Sequence, residues 1–361
     1  MRNSAREIFD SALGGMSDLP DDREEWVPIE AEALKRVYDK LVYECGTDVW
    51  FESCPVCVSL NGDLIRSVTV ITPAGRVEIS AKCFIDCTGN ADLCRLSGAS
   101  VVRPEMVQPA SLCFYLGGLD IQAFKREPEL HSSNPDSPLH KIAADPRYPL
   151  ITSPHFCIKI LYGNVAAINA GYLYGVDISD PGAMFRLMRT GREAAAQYAA
   201  ALAEYTEAFR NCSLIATAPL LGIRESVRIN AVYNLTIDDY VRRARFDDAI
   251  ARNDYFIDVH SPAVDELVKQ HKDLSGECLY YEKGEYYEIP YRSLLSDVDN
   301  LLAAGRIIGC DGRVQGSVRT MPNALSTGMA AGIAAAVAVR AGKTPARLGE
   351  LVKEVADACR L

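Results

Sequence analysis

The 361-residue chain contains no apolar run long enough to span a bilayer. Its most apolar stretch, Gly328 to Val339, is short, built mainly of alanine and glycine, and ends at Arg340, so no membrane association is expected. The start, Met1-Arg2-Asn3-Ser4, leads into an amphipathic stretch with acidic residues and lacks the basic and then apolar order of a secretory signal. A basic stripe is missing too. Lys and Arg number 38 against 48 Asp and Glu, a net charge of −10, and no basic segment interleaved with aromatics is available to neutralise phosphates, which argues against a nucleic-acid partner. The twelve cysteines lack disulfide-framework spacing, so reduced thiols acting as small buried hydrophobes in a cytoplasmic protein are expected. Internal repeats and low-complexity segments are absent.

What is present is a globular composition, 48% hydrophobic and 24% charged, which excludes a disordered chain. The length favours two domains over one core. Leu34, Val37, Tyr38, Leu41, Val42 and Cys45 fall at three-and-four spacing, predicting one buried helical face that Gly46 ends. Short strands follow over 49–51, 55–60, 64–72 and 76–81, with turns at Asn61-Gly62-Asp63 and Pro73-Ala74-Gly75; this reads as a β-meander. Cys83 to Cys87 is a further strand, which Thr88-Gly89-Asn90 turns into a helix through Asp92 and Leu96.

From about Ser100 to Glu288 the texture shifts to Pro- and Ser-bearing loops and wider spacing, the mark of a second domain. Its clearest element is a long helix from Asp180-Pro181 to about Phe209, with Asp180 as cap and proline in the first turn. Gly222 to Ile229 alternates, and as a strand it sets Arg224, Ser226 and Arg228 on one face. The last eighty or so residues return to compact α/β texture: a buried strand over 300–304 with Gly305-Arg306 as its exit, a helix from near Pro322 with small residues including Gly328, and a final helix opening at Thr344-Pro345.

Three segments resemble the FAD-dependent oxidoreductases that share their cofactor fold with the glutathione-reductase and fumarate-reductase flavoproteins. They are Phe84-Ile85-Asp86-Cys87-Thr88-Gly89-Asn90-Ala91-Asp92-Leu93; Pro219 to Ser226 continued by Leu235-Thr236 and by Asp248–Arg252 through Ile257–His260; and Ile289–Leu295 through Asn300–Arg306 to Gly316-Ser317-Val318-Arg319-Thr320-Met321-Pro322 and Gly328–Gly332. The resemblance implies FAD as cofactor, held by Asp86, Thr88, Gly89, Asn90, Asp92, Gly305, Arg306, Gly316, Ser317, Arg319, Met321, Pro322 and Gly328. It implies an α/β fold: an incomplete Rossmann-like FAD domain, a three-layer sheet with β-meander, in two parts (1–99 and 288–361), and an inserted α+β substrate domain (100–287). The helix opening at Pro322 would cap the isoalloxazine ring, its amides and positive dipole end facing the edge where reduction leaves negative charge.

Two departures stand out. No G-x-G-x-x-G occurs in the sequence, although the family opens with that diphosphate-binding turn. A truncated or misassigned start, or a split gene whose partner chain supplies the missing unit, is the expectation this raises. Gly312 stands where some relatives carry a histidine, which removes that position as a proton donor.

Candidate catalytic residues are Arg224 and Arg228, His260 and Tyr291. The arginines suit a bidentate clamp on a substrate carboxylate, or pairing with neighbouring Asp and Glu. His260 suits a flavin-site acid or base, or a capping role; Tyr291 and Arg292 lie where the second domain returns the chain to the first. Cys54-Pro55-Val56-Cys57 lies inside a strand without a second pair, a structural placement. Arg242-Arg243-Ala244-Arg245 reads as a solvated helix face. The expected reaction is hydride transfer from a small organic substrate, held between the two domains, to FAD. A chain without independent FAD binding, acting as a partner subunit or inactive fragment, is the alternative.

Overall fold

The computed structural model describes residues 29–104, 107–260 and 280–359. Among these, two compact units separate: 48–104 with 225–260 and 280–359, and 29–47 with 107–224. Along the chain come α1 (Ala31–Glu44), β1 (Cys54–Asn61), β2 (Leu64–Thr72), β3 (Gly75–Ile79), β4 (Phe84–Asp86), α2 (Asp92–Leu96) and β5 (Val101–Val102). Next are β6 (Phe114–Gly117), α3 (Ile121–Phe124), α4 (Pro138–Ala144), β7 (Phe156–Leu161), β8 (Val165–Ala170), α5 (Pro181–Tyr205) and β9 (Ser213–Thr217). The remainder holds β10 (Arg228–Ile229), α6 (Ile237–Val241), β11 (Ala249–Asn253), β12 (Tyr287–Pro290), β13 (Leu301–Ala303), α7 (Gln315–Val318), α8 (Met321–Ala341) and α9 (Val352–Cys359). The architecture is mixed α/β with several small sheets.

In the first unit β1, β2 and β3 form the antiparallel meander that alternation predicts, turning at Gly62 and Gly75, both at positive φ. Strand β4 pairs in parallel with β13, Phe84 opposite Leu301 and Asp86 opposite Ala303. Phe84 N donates to Asn300 O (2.9 Å) and Ala304 N to Asp86 O (3.0 Å), so the peptide groups of Ile85 face the other edge, where no strand pairs among the described residues. The Asn300 side chain joins the two sheets: Nδ2 donates to Ile65 O (2.9 Å) while Oδ1 accepts from Ile65 N (2.8 Å).

Helix α8 has proline in its first turn and ends at Gly342, whose φ of 63° only glycine adopts cheaply. It is longer than the 328–339 stretch that hydropathy marks out; its 21 residues, with mean hydropathy 1.5 in the most apolar window, reach membrane-spanning size by length and composition alone. Thr327, Ala330, Ala331, Ala334, Val337 and Ala338 bury one face, and most of them join the core built on Tyr240, Tyr287, Tyr291 and Leu302. Gly328, Gly332 and Ala336 lie on the opposite side, where Cβ atoms added to the two glycines would meet nothing within 4 Å. The final segment begins as 3-10 turns, and α9 proper starts only at Val352.

In the second unit the antiparallel sheet runs β7-β8-β6-β9 and packs on α5 through Phe114, Phe156, Tyr198 and Phe209. Helix α5 starts as its sequence predicts, the Asp180 carboxylate accepting from Gly182 N at 2.8 Å. Helix α1 forms as expected, capped by Glu30 and stopped at Gly46, but its apolar stripe is not a buried face: Ala33 is its one fully buried residue, and Tyr38 and Leu41 are exposed.

Three other expectations differ. Residues 49–51 form no strand. The alternation over 222–229 leaves only Arg228 and Ile229 in a strand, because the β10–β5 pairing spans two residues. Residues 225–260 and 280–287, assigned by texture to the inserted 100–287 domain, pack in the first unit, and 29–47, assigned to the first domain, lies in the second; loops change composition where contacts do not divide.

Candidate functional site

The turn after β4 is organised by one buried carboxylate. Asp86 accepts from Thr88 N (2.9 Å), Thr88 Oγ1 (2.7 Å) and Cys94 N (2.9 Å), so it shapes the strand-to-helix turn from within. Thr88 Oγ1 in turn accepts from Asp92 N at 3.0 Å, and the Asp92 carboxylate pairs with Arg95. Gly89 follows at φ 75°.

Where β13 ends, Gly305 turns at φ 80° and its amide donates to Thr327 Oγ1 of α8 at 3.0 Å. Arg306 then reaches across to the turn after β4. Its guanidinium lies against Gly89, where an added Cβ would stand 2.7–2.8 Å from Cζ and both terminal nitrogens. Nη2 donates to Asn90 Oδ1 at 3.0 Å, and Ser226 Oγ sits 3.0 Å from the same oxygen and 3.2 Å from Gly89 O. The buried Nε has no hydrogen-bond partner, and burial pulls the guanidinium below its ordinary pKa.

A second cluster lies at the approach to α8. Arg319 Nη2 donates to Asp258 O (2.7 Å) and Asp258 Oδ2 (3.1 Å), and His260 Nε2 is 3.0 Å from Asp258 Oδ1. Gly316 makes this possible: a Cβ there would lie 2.7 Å from Val259 Cγ2 and 2.8 Å from Asp258 O. Met321 and Pro322 are exposed at the helix start. Asp258 and Ser226 are absent from the residues chosen by sequence. A half-buried carboxylate orienting a histidine two residues away carries no pattern of its own in an irregular segment.

Other sequence candidates fall elsewhere. Arg228 is buried, pairs with buried Glu225 and donates Nε to Cys310 O at 3.1 Å, so the local carboxylate has its fork. Arg224 is buried in the other unit, donating to Pro109 O at 2.8 Å, and the expected strand face with two guanidiniums does not form. Tyr291 is 1% exposed and donates to Pro345 O (3.0 Å): it fills the core of its unit because the chain returns there through β12 and a 3-10 turn. Ser317 is wholly buried, its hydroxyl bound to Tyr255 O (2.6 Å) and close to Asn253 and Tyr287. Gly328 lies on the open side of α8. The basic run is not a helix face, since α6 ends at Val241; Arg243 pairs with Glu285 and Arg245 stacks on Tyr286. Cys54 and Cys57 are exposed on β1, at a register irregularity.

The family model described as FAD dependent oxidoreductase matches residues 2–358. No curated protein matches. Among solved structures the chain is similar to the myxobacterial chondrochloren halogenase CndH, a FAD-dependent halogenase, at 11% identity and TM-score 0.42, covering 93% of this chain and 59% of that one. It is similar to a geranylgeranyl bacteriochlorophyll reductase-like protein from Thermoplasma acidophilum (10% identity, TM-score 0.40, 95% and 61% covered). It is also similar to p-nitrophenol 4-monooxygenase PnpA from Pseudomonas putida DLL-E4 (6% identity, TM-score 0.42, 92% and 59% covered). Across these and similar structures the chain spans 35% to 61% of the other protein's length. Similarity at that level fixes no substrate. The residues present fit a flavin dinucleotide on one observation: the guanidinium of Arg306 lies over Gly89 at the strand ends with its buried Nε partnerless. Matched over nearly its whole length, the chain belongs to the FAD dependent oxidoreductase family, a family of enzymes whose cofactor is FAD.

Proposed function

We propose that the chain is an oxidoreductase that takes a hydride from a small organic substrate, on a three-layer FAD-binding fold. One observation carries the reading: the ends of the parallel strands β4 and β13 and the first turns of α8 converge within one unit, through Gly89, Asn90, Gly305, Arg306 and Thr327. Ligands of open α/β sheets lie outside the carboxyl ends of the strands. FAD, when bound, supplies the two-electron acceptor.

The chain's own residues then orient and move protons. Asp258 orients His260 through Nε2, and the imidazole receives the proton that the substrate loses beside its hydride. Arg319 holds Asp258 from the other side and so fixes the ring's position. The start of α8, with its aligned amides, would stabilise the negative charge that a bound flavin gains on reduction. An external acceptor completes the turnover. A cytoplasmic setting agrees with the eleven described cysteines, none of them in a disulfide.

A second reading, in which a partner chain completes the fold, draws on the outer edge of β4, unpaired among the described residues. The absorbance spectrum of the purified chain, before and after denaturation and with FAD added, tests both. A flavin band whose released pigment is FAD supports the first. No band even with added FAD defeats it for this chain alone and leaves the partnered form.

A further inference from the structure

We propose that Arg306 is an oxyanion-binding residue that holds a phosphate group of a dinucleotide at the carboxyl ends of β4 and β13. The inference rests on the flavoenzyme reading and names the residue that meets the cofactor's negative charge.

Arg306 is suited to it by what it leaves unused. A guanidinium carries five N–H donors in a planar fork that matches phosphate geometry. Arg306 spends one on Asn90 Oδ1, has no hydrogen-bond partner at Nε, and makes no ion pair among the described residues. Arg95 and Arg319 also leave a buried Nε without a partner, but each has a carboxylate at ion-pair distance, as Arg228 does: Arg95 has Asp92, Arg319 has Asp258 and Arg228 has Glu225. Asp92, engaged with Arg95, acts on this largely buried cation without forming an ion pair to it, and an oxyanion docked on Arg306 offsets the cost of its burial.

The surroundings hold the fork still. The peptide at Gly89 forms its floor, since only a residue without Cβ leaves room for the guanidinium there. Asn90 Oδ1 takes both Arg306 Nη2 and Ser226 Oγ, which fixes the amide and directs Asn90 Nδ2 away from them as a further donor. The lowered pKa of the buried guanidinium agrees with a site that waits for negative charge.

The test uses the full chain with three probes, FAD, riboflavin and inorganic pyrophosphate, read by flavin fluorescence and by the thermal midpoint. Pyrophosphate should raise the midpoint of the unaltered protein and compete with FAD. Arg306→Gln should abolish the pyrophosphate shift and weaken FAD by about 10- to 100-fold while riboflavin affinity holds. Arg306→Lys, which keeps the charge, should retain part of both effects and guards against a misfolded glutamine variant. Pyrophosphate binding through Arg306 without FAD binding would sustain the oxyanion site and sink the flavoenzyme reading. FAD binding untouched in Arg306→Gln, or no pyrophosphate effect on the unaltered protein, would overturn the proposal.

Discussion

Gly89→Ala tests the strand-end geometry most directly. Two costs apply. The backbone at φ 75° is left-handed, which costs an L-residue about 1–2 kcal/mol. The new Cβ would also stand 2.7 Å from Arg306 Cζ, so the guanidinium must withdraw and its bond to Asn90 breaks, about 1 kcal/mol more. The sum is about 2–3 kcal/mol, or a melting-point drop of about 4–12 °C. Gly98→Ala is the internal control: its φ is also 75° but a Cβ there meets nothing within 4 Å, so it carries the backbone cost alone. Chemical and thermal denaturation of both variants separates the terms. If the two variants lose equal stability within about 0.5 kcal/mol, Arg306 is not held over Gly89 and the reasoning fails.

Removing one member of the buried Glu225–Arg228 pair should be severe. Arg228→Met is expected to cost about 3–5 kcal/mol and Glu225→Gln with Arg228→Met much less, measured by denaturant midpoints; equal losses would show the pair uncoupled. The Cys310 thiol, pushed up to about 12 by burial, should resist iodoacetamide in the native protein at pH 8 while exposed Cys54 and Cys57 react, as peptide mass spectrometry would read. Because its folded pKa lies above the ordinary 9.0, the unfolded chain loses that proton first; stability should fall as pH rises from about 9 to about 12, with a shallower slope in Cys310→Ala.

Much of the local structure is legible in the sequence where one short-range rule decides. Asp180-Pro181 begins α5, Asn61-Gly62 turns the meander, and Pro322 opens α8, each through backbone preferences that need no partner. Arg224 and Arg228 mislead because alternation describes direction only if a strand forms, and strand formation depends on a neighbour that pairs for two residues. Tyr291 misleads in a similar way: a position where the chain changes texture is also a position where it re-enters the core. The Asp258–His260–Arg319 cluster joins an irregular segment to the approach to α8, contacts between residues some sixty apart that no local spacing encodes.

Asn300 gives the first unit a property that no strand count conveys. Its amide imitates a peptide group, occupying both the N–H and the C=O of Ile65, while its own carbonyl receives the amide of Phe84. One side chain therefore serves as the missing rung between a three-stranded ribbon and a pair of three-residue strands too short to persist alone. The two cannot open separately without exposing buried donors and acceptors, so the ribbon and the strand ends that carry Gly89 and Arg306 unfold as one cooperative block, and the rigidity of the candidate site is inherited in part from the sheet beside it.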